Sequence, residues 1–193
     1  MNDSARRPVV SVIGDARLAE GDSRIALAQR TGSLLVEHGF AVMTGGMGGV
    51  MEAALEGARA AAGGAPGCTI ALIPGTDPDA PHVSRSADIV IPTGLDHARN
   101  LIVAQSDAVI AIGGGAGTLS EMAYAWIHKR LLIAFRCEGW SGRLADEQID
   151  ERPRYPAIVD DRVYGTDTAE EAVALVQKLS PLYRRRHRSI TKG

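Results

Sequence analysis

The sequence predicts one α/β domain built on a doubly wound, mostly parallel sheet with helices on both faces. Short, nearly all-apolar runs alternate with longer runs of helical periodicity, the pattern of strands buried on both faces and joined by crossover helices. Two glycine-rich turns, Thr44-Gly45-Gly46-Met47-Gly48-Gly49 and Gly113-Gly114-Gly115-Ala116-Gly117-Thr118, each close an apolar run and open a helical one. At 193 residues and 45% hydrophobic content the chain supports a single core, and no linker-like change of composition divides it. The domain is expected to occupy residues 1–193, with its core at about 9–180 and a basic tail at 181–193.

Residues 9–13 are mostly β-branched and stop at Gly14, which reads as a first strand and a tight turn. A helix is expected over residues 23–38, where Ile25, Leu27, Ala28, Leu34 and Leu35 recur at helical spacing. Gly39 stands where a helix end needs a left-handed residue. Residues 40–43 form a second strand that delivers the first glycine turn. Residues 50–62, rich in Ala, Leu and Glu, form the next helix, stopped by Gly63-Gly64-Ala65-Pro66-Gly67.

Residues 68–73 and 89–91 read as strands, and the proline- and aspartate-bearing loop 74–86 between them is long enough to be functional. A helix over residues 97–105 precedes a fifth strand, 108–112, which leads into the second glycine turn and a helix over 118–128. Residues 131–135 form a sixth strand and 138–156 a polar excursion. The last helix, 168–179, opens on the capping box Thr168-Ala169-Glu170-Glu171.

Composition excludes several partners. A net charge of −2 and an aromatic content of 4% offer neither a basic surface nor stacking platforms, so no nucleic-acid partner is expected. The polar N-terminus lacks the apolar core of a signal peptide, and no stretch has transmembrane length, so the expected compartment is the cytoplasm, away from membranes. Cys68 and Cys137 read as small hydrophobes or inert thiols, and the tail Arg184-Arg185-Arg186-His187-Arg188 as a solvated charge run.

The glycine turns are suited to an anion, because backbone without Cβ atoms approaches closely and the first turn of a helix supplies unpaired N–H groups. Phosphate is the expected guest, and two such turns suggest a nucleotide-like ligand. Neither turn matches the dinucleotide fingerprint, and no glycine precedes lysine as a Walker P-loop requires. His38, His82, His97, His128 and His187 are scattered, so no metal site is expected. Arg99 stands at the start of a helical run, where a cation gains nothing from the helix dipole; either it is solvated or an anion lies nearby. Asp15, after the first strand, either lines the crevice or serves the turn.

The run Gly114-Gly115-Ala116-Gly117-Thr118-Leu119-Ser120-Glu121 resembles the GGxGTxxE motif of the Lonely Guy (LOG) proteins and the wider SLOG superfamily, and Gly45-Gly46-Met47-Gly48-Gly49-Val50-Met51 resembles their companion motif. The resemblance spans roughly residues 9–135. It implies a Rossmann-like homodimer or higher homo-oligomer binding a nucleoside monophosphate or a pterin-phosphate. LOG enzymes cleave the base from a nucleoside 5′-monophosphate without a cofactor; on this pattern Arg99 and Glu121 would be catalytic. Gly14, Gly45, Gly46, Met47, Gly48, Asn100, Gly114, Gly115, Ala116, Gly117 and Thr118 would hold the ligand.

Gly113 and Asn100 depart from the LOG pattern, which usually has proline and lysine there, and bring the chain closer to a subgroup that includes molybdenum cofactor carrier proteins. The expectation is therefore a phosphorylated, nucleotide-type ligand with hydrolase activity, or alternatively carriage of the molybdenum cofactor without turnover. A nucleotide-sensing module is a third, weaker expectation. The lysine decarboxylase label attached to some superfamily members does not suit this chain: Lys129, Lys178 and Lys192 all lie away from the glycine turns. Glu121 keeps two roles open. It either faces a ribose or completes a capping box with Thr118.

Overall fold

The computed structural model describes residues 6–63 and 66–184. Its strands are β1 (Val9–Gly14), β2 (Ala41–Thr44), β3 (Thr69–Ile73), β4 (Ile89–Pro92), β5 (Ala108–Ile112), β6 (Leu131–Phe135) and β7 (Tyr164–Thr166). The helices are α1 (Ser23–Glu37), α2 (Val50–Ala61), α3 (Asn100–Val103), α4 (Ala116–Ile127), α5 (Trp140–Leu144) and α6 (Ala169–Leu179), with a 3-10 turn over Asp96–Arg99. The strands form one sheet, entirely parallel, in the order β4-β3-β2-β1-β5-β6-β7. The chain builds outward from β1 to β4, then returns to the other side of β1 for β5. That reversal opens a crevice beyond the carboxyl ends of β1 and β5.

Alternation along the central strands divides the core between the two faces. Ala108, Ile110 and Ile112 of β5, with Leu131, Ile133 and Phe135 of β6, pack under α1, α2 and α6. Val109, Ala111, Leu132 and Ala134 pack on the opposite side with Val103, Met122, Ala125 and Trp126. Helices α1 and α2 touch backbone to backbone. A Cβ on Gly32 would strike the Ala54 carbonyl, and one on Gly57 the Gln29 carbonyl.

Local signals explain the helix ends. The Asp22 side chain accepts the Arg24 N–H at 3.0 Å and starts α1. Gly39 ends it at φ +83°, with bonds from Gly39 to Val36 and Phe40 to Leu35 that satisfy its last carbonyls. Thr168 caps α6 as expected, accepting from Glu171 N–H at 3.2 Å. Glu171 in turn accepts from Asp167 N–H, one residue before the cap.

The structure differs from the sequence expectation in several elements. The helix over 97–105 is instead a 3-10 turn followed by a single α turn, entered through Asp96 at φ +48°. The excursion 138–156 contains α5, and β7 adds a seventh strand beside β6. The expectations for residues 1–5, for Gly64 and Ala65 of the helix stop, and for the tail beyond Arg184, Lys192 included, lie outside the described residues. Among the described residues no helix is long and apolar enough to cross a membrane.

Candidate functional site

The ends of β1, β2 and β5 bring Gly14, the first glycine turn and the second glycine turn to the crevice. Asp15 joins the two turns. Its carbonyl accepts the Val50 N–H at 2.9 Å where the first turn enters α2. Its carboxylate accepts the Gly114 N–H at 2.8 Å in the second turn and the Arg24 guanidinium, also at 2.8 Å. Asp22 binds the same guanidinium, so α1 is tied into the loop cluster. Behind the second turn, the Ser141 hydroxyl accepts the Gly113 N–H at 2.7 Å, and Trp140 and Ser141 N–H groups reach the Gly114 and Gly113 carbonyls.

Helix α4 begins two residues earlier than the sequence suggested, with Gly115 as its N-cap and no side chain capping it. The capping box over Thr118 and Glu121 is therefore corrected. Glu121 lies in the second turn, where its carboxylate cannot reach the N-cap backbone. The first-turn N–H groups of Ala116, Gly117 and Thr118 consequently have no side-chain acceptor, and Gly117 and Thr118 line the crevice. A Cβ on Gly115 or Gly117 would meet nothing within 4 Å, so packing does not demand glycine there; its absence of side chain leaves the cleft open.

That cleft has a volume of about 230 Å³ and is lined by Gly14, Asp15, Met47, Met51, Arg99, Asn100, Gly115, Gly117, Thr118 and Glu121, with Ala16 and His97 at its margins. Arg99 is only 6% exposed. Its guanidinium donates to Asn100 Oδ1 at 2.6 Å and to the Gly45 carbonyl at 3.2 Å, while its buried Nε makes no hydrogen bond. Asn100 passes the connection on, donating to the Ser120 hydroxyl at 2.8 Å on α4.

Glu121 is 7% exposed. Among the described residues its carboxyl has neither a hydrogen bond nor a close ion pair; burial pushes it up to about 7, with the Arg99 charge pulling the other way. Burial likewise lowers Arg99, opposed by Glu121 and Asp96, yet a guanidinium starts so high that it stays cationic. The site thus holds one fixed positive charge, one carboxyl able to exchange a proton near neutrality, and an open helix N-terminus.

Of the residues anticipated from sequence, Gly14, Met47, Arg99, Asn100, Gly115, Gly117, Thr118 and Glu121 meet in this cleft. The others sit beside it. Gly46, at φ +71°, turns against Ala71 and Ile73, Gly45 offers its carbonyl to Arg99, and Gly48 borders a neighbouring cleft. The Gly114 N–H is already bound by Asp15, and Ala116 begins α4 without lining the cleft. Arg24 and Ser141 carry no sequence signal, and only packing reveals them, whereas Met51 closes the first glycine motif and lines the cleft. Among the described residues, no group of three or more His, Cys, Asp or Glu side chains could hold a metal.

Comparison with known proteins follows the same lines. Residues 7–166 match the model of the SLOG cluster4 family. An uncharacterised protein of Archaeoglobus fulgidus is 41% identical over 117 residues, covering 60% of this chain and 72% of its own length. The structure of the molybdenum cofactor binding protein from the phototrophic bacterium Rippkaea orientalis superposes with a TM-score of 0.74 at 32% identity, covering 91% of this chain and 99% of that one. The molybdenum cofactor carrier protein of Chlamydomonas reinhardtii gives 0.72 at 28% identity, covering 92% and 99%. With more than half of its length matched by the family model, the chain belongs to the SLOG cluster4 family.

Proposed function

We propose that this protein binds a phosphorylated pterin-type ligand, the molybdenum cofactor, and carries it without turnover. The observation that carries the reading is the uncapped start of α4 beneath Gly115 and Gly117, facing a cleft that also contains the buried Arg99. A phosphate there would accept the free N–H groups of Ala116, Gly117 and Thr118 and gain from the positive end of the helix. Arg99 would supply the compensating charge, with its Nε still available. The likeness to cofactor-binding and carrier proteins supports the choice of cargo. The cofactor enters here as cargo, and Asp15, through the Gly114 N–H, and Asn100, through the Gly117 carbonyl, hold the backbone that would receive it.

Glu121 favours a second reading, hydrolysis of the N-glycosidic bond of a nucleoside 5′-monophosphate. A carboxyl at about 7 can take or give a proton at neutral pH, and buried without a partner it is free to act on a ligand. In that reading the α4 N–H groups hold the phosphate, Arg99 orders the substrate and Glu121 faces the ribose, helping to position water or stabilise developing positive charge. Both readings expect a homodimer. The apolar side chains of Ile89 and Ile91 on the edge strand β4, Leu101 and Ile102 on α3, and Ile127 on α4 stand exposed.

Incubation with a panel of nucleoside 5′-monophosphates and with the molybdenum cofactor, following thermal shift and free base together, separates these readings. Stabilisation by the cofactor with no base released from any monophosphate supports carriage. Base release supports hydrolysis, and the absence of both effects rejects the phosphate site.

A further inference from the structure

A cleft of about 230 Å³ is smaller than the roughly 300–1,000 Å³ of ordinary small-molecule sites. It leaves room for a phosphate and an attached sugar-sized group, but not for a whole nucleotide or pterin cofactor. A second cleft of about 470 Å³ adjoins it, sharing Ala16 and Met47 as a common wall, and the two together fall within the ordinary range.

The second cleft lies between the first glycine turn and the loop 74–86. This loop is fixed rather than merely draped. Ser84 N–H donates to the Gly46 carbonyl at 3.0 Å, the Ser86 hydroxyl donates to Glu52 at 3.0 Å, and Arg59 reaches the Arg85 carbonyl at 3.1 Å. Arg17, His82 and Arg85 line the cleft, and Glu52 is the only carboxylate among its lining residues. Neither arginine side chain forms a salt bridge among the described residues, whereas Glu52 already receives the Ser86 hydroxyl. The two arginines outnumber the single carboxylate, so the local balance is positive.

We propose that this second cleft is a subsite for another anionic group on the same ligand, so that the protein selects molecules carrying two acidic groups on either side of Met47. The inference rests on the phosphate site at the start of α4. Met47 divides the ligand. One phosphate lies against the α4 N–H groups, and the second acidic group is recognised by Arg17 and Arg85, with His82 beside them. A ligand with one phosphate alone fills the smaller cleft and forgoes the second set of charges.

The test compares two base-free probes, ribulose 5-phosphate and ribulose 1,5-bisphosphate, by calorimetry on the full chain. The bisphosphate is expected to bind about tenfold more tightly, the scale of one or two added charge-assisted hydrogen bonds. An Arg17→Gln, Arg85→Gln double variant should lose that advantage, keep its affinity for the monophosphate and melt like the parent, since both side chains are exposed. Raising the salt concentration should shrink the advantage in the parent. Equal affinities in the parent, or an advantage that survives the double variant, overturn the subsite while leaving the α4 phosphate site standing. Binding of neither probe overturns both.

Discussion

The Asp15 carboxylate accepts the Gly114 N–H at 2.8 Å while the Asp15 carbonyl accepts the Val50 N–H at 2.9 Å. One residue thus fixes the geometry of both glycine turns, and the next N–H groups, at the start of α4, are left without a side-chain cap. Asp15→Ala should cost about 1–3 kcal/mol, the loss of a charge-assisted hydrogen bond and its partly buried donor, and weaken phosphate binding. Asp15→Asn keeps an acceptor for Gly114 and should recover most of the binding but not the full stability, because the Arg24 pairing is lost. Denaturant unfolding paired with phosphate titration checks this; indistinguishable Ala and Asn variants would argue against the positioning role.

Two neighbouring glycines should respond differently. At Gly115 the backbone is extended and a side chain meets open space, so Gly115→Val should fold, at a cost of about 1 kcal/mol for a poorer N-cap residue, while blocking the anion. At Gly114, with φ +95°, a Cβ would collide with Thr118, so Gly114→Ala should be strongly destabilised. Melting temperatures and phosphate affinities of the two variants provide the comparison. A folded Gly115→Val protein with parental affinity would remove the cleft from consideration.

Glu121 gives the protein a pH dependence with a definite sign. Its carboxyl is raised from 4.5 to about 7 in the folded state, so the fold favours the protonated form. The associated stability is complete below about pH 4.5 and is lost as pH rises through 7, amounting to about 3 kcal/mol at most. Glu121→Gln cannot ionise. Its stability should therefore gain on that of the parent between pH 5 and 8, and parallel stability curves would contradict the buried, unpaired carboxyl. In the hydrolase reading the same variant should cut base release by about two orders of magnitude or more.

The exposed apolar residues of β4, α3 and α4 predict self-association. Light scattering at micromolar concentration should report a dimer, and Ile89→Lys with Ile91→Lys should shift it toward monomer with little loss of stability, since both side chains are already exposed. A monomeric parent would contradict the prediction.

Much of this fold is legible because its signals are local. Strands β5 and β6 are continuous apolar runs bounded by polar or glycine residues, and Gly39 and Thr168 mark helix ends through chemistry that acts within a few positions. The five-residue α5 and three-residue β7 are too short to show periodicity. The start of α4 misleads because Ala116-Gly117 has no capping side chain, whereas Thr118 followed by Glu121 imitates one. Arg99, Asn100 and Glu121 could be singled out from the motifs, but not their connections. Asp15 reaches Gly114 across 99 positions, and no local pattern encodes that contact.

The most direct measurement is retention of the molybdenum cofactor through gel filtration by the parent protein and by Gly115→Val. The parent is expected to retain the cofactor in stoichiometric amount and to release it slowly, whereas the variant, still folded, elutes without it. Failure of the parent to retain the cofactor, or equal retention by the variant, would contradict carriage in the cleft at the start of α4.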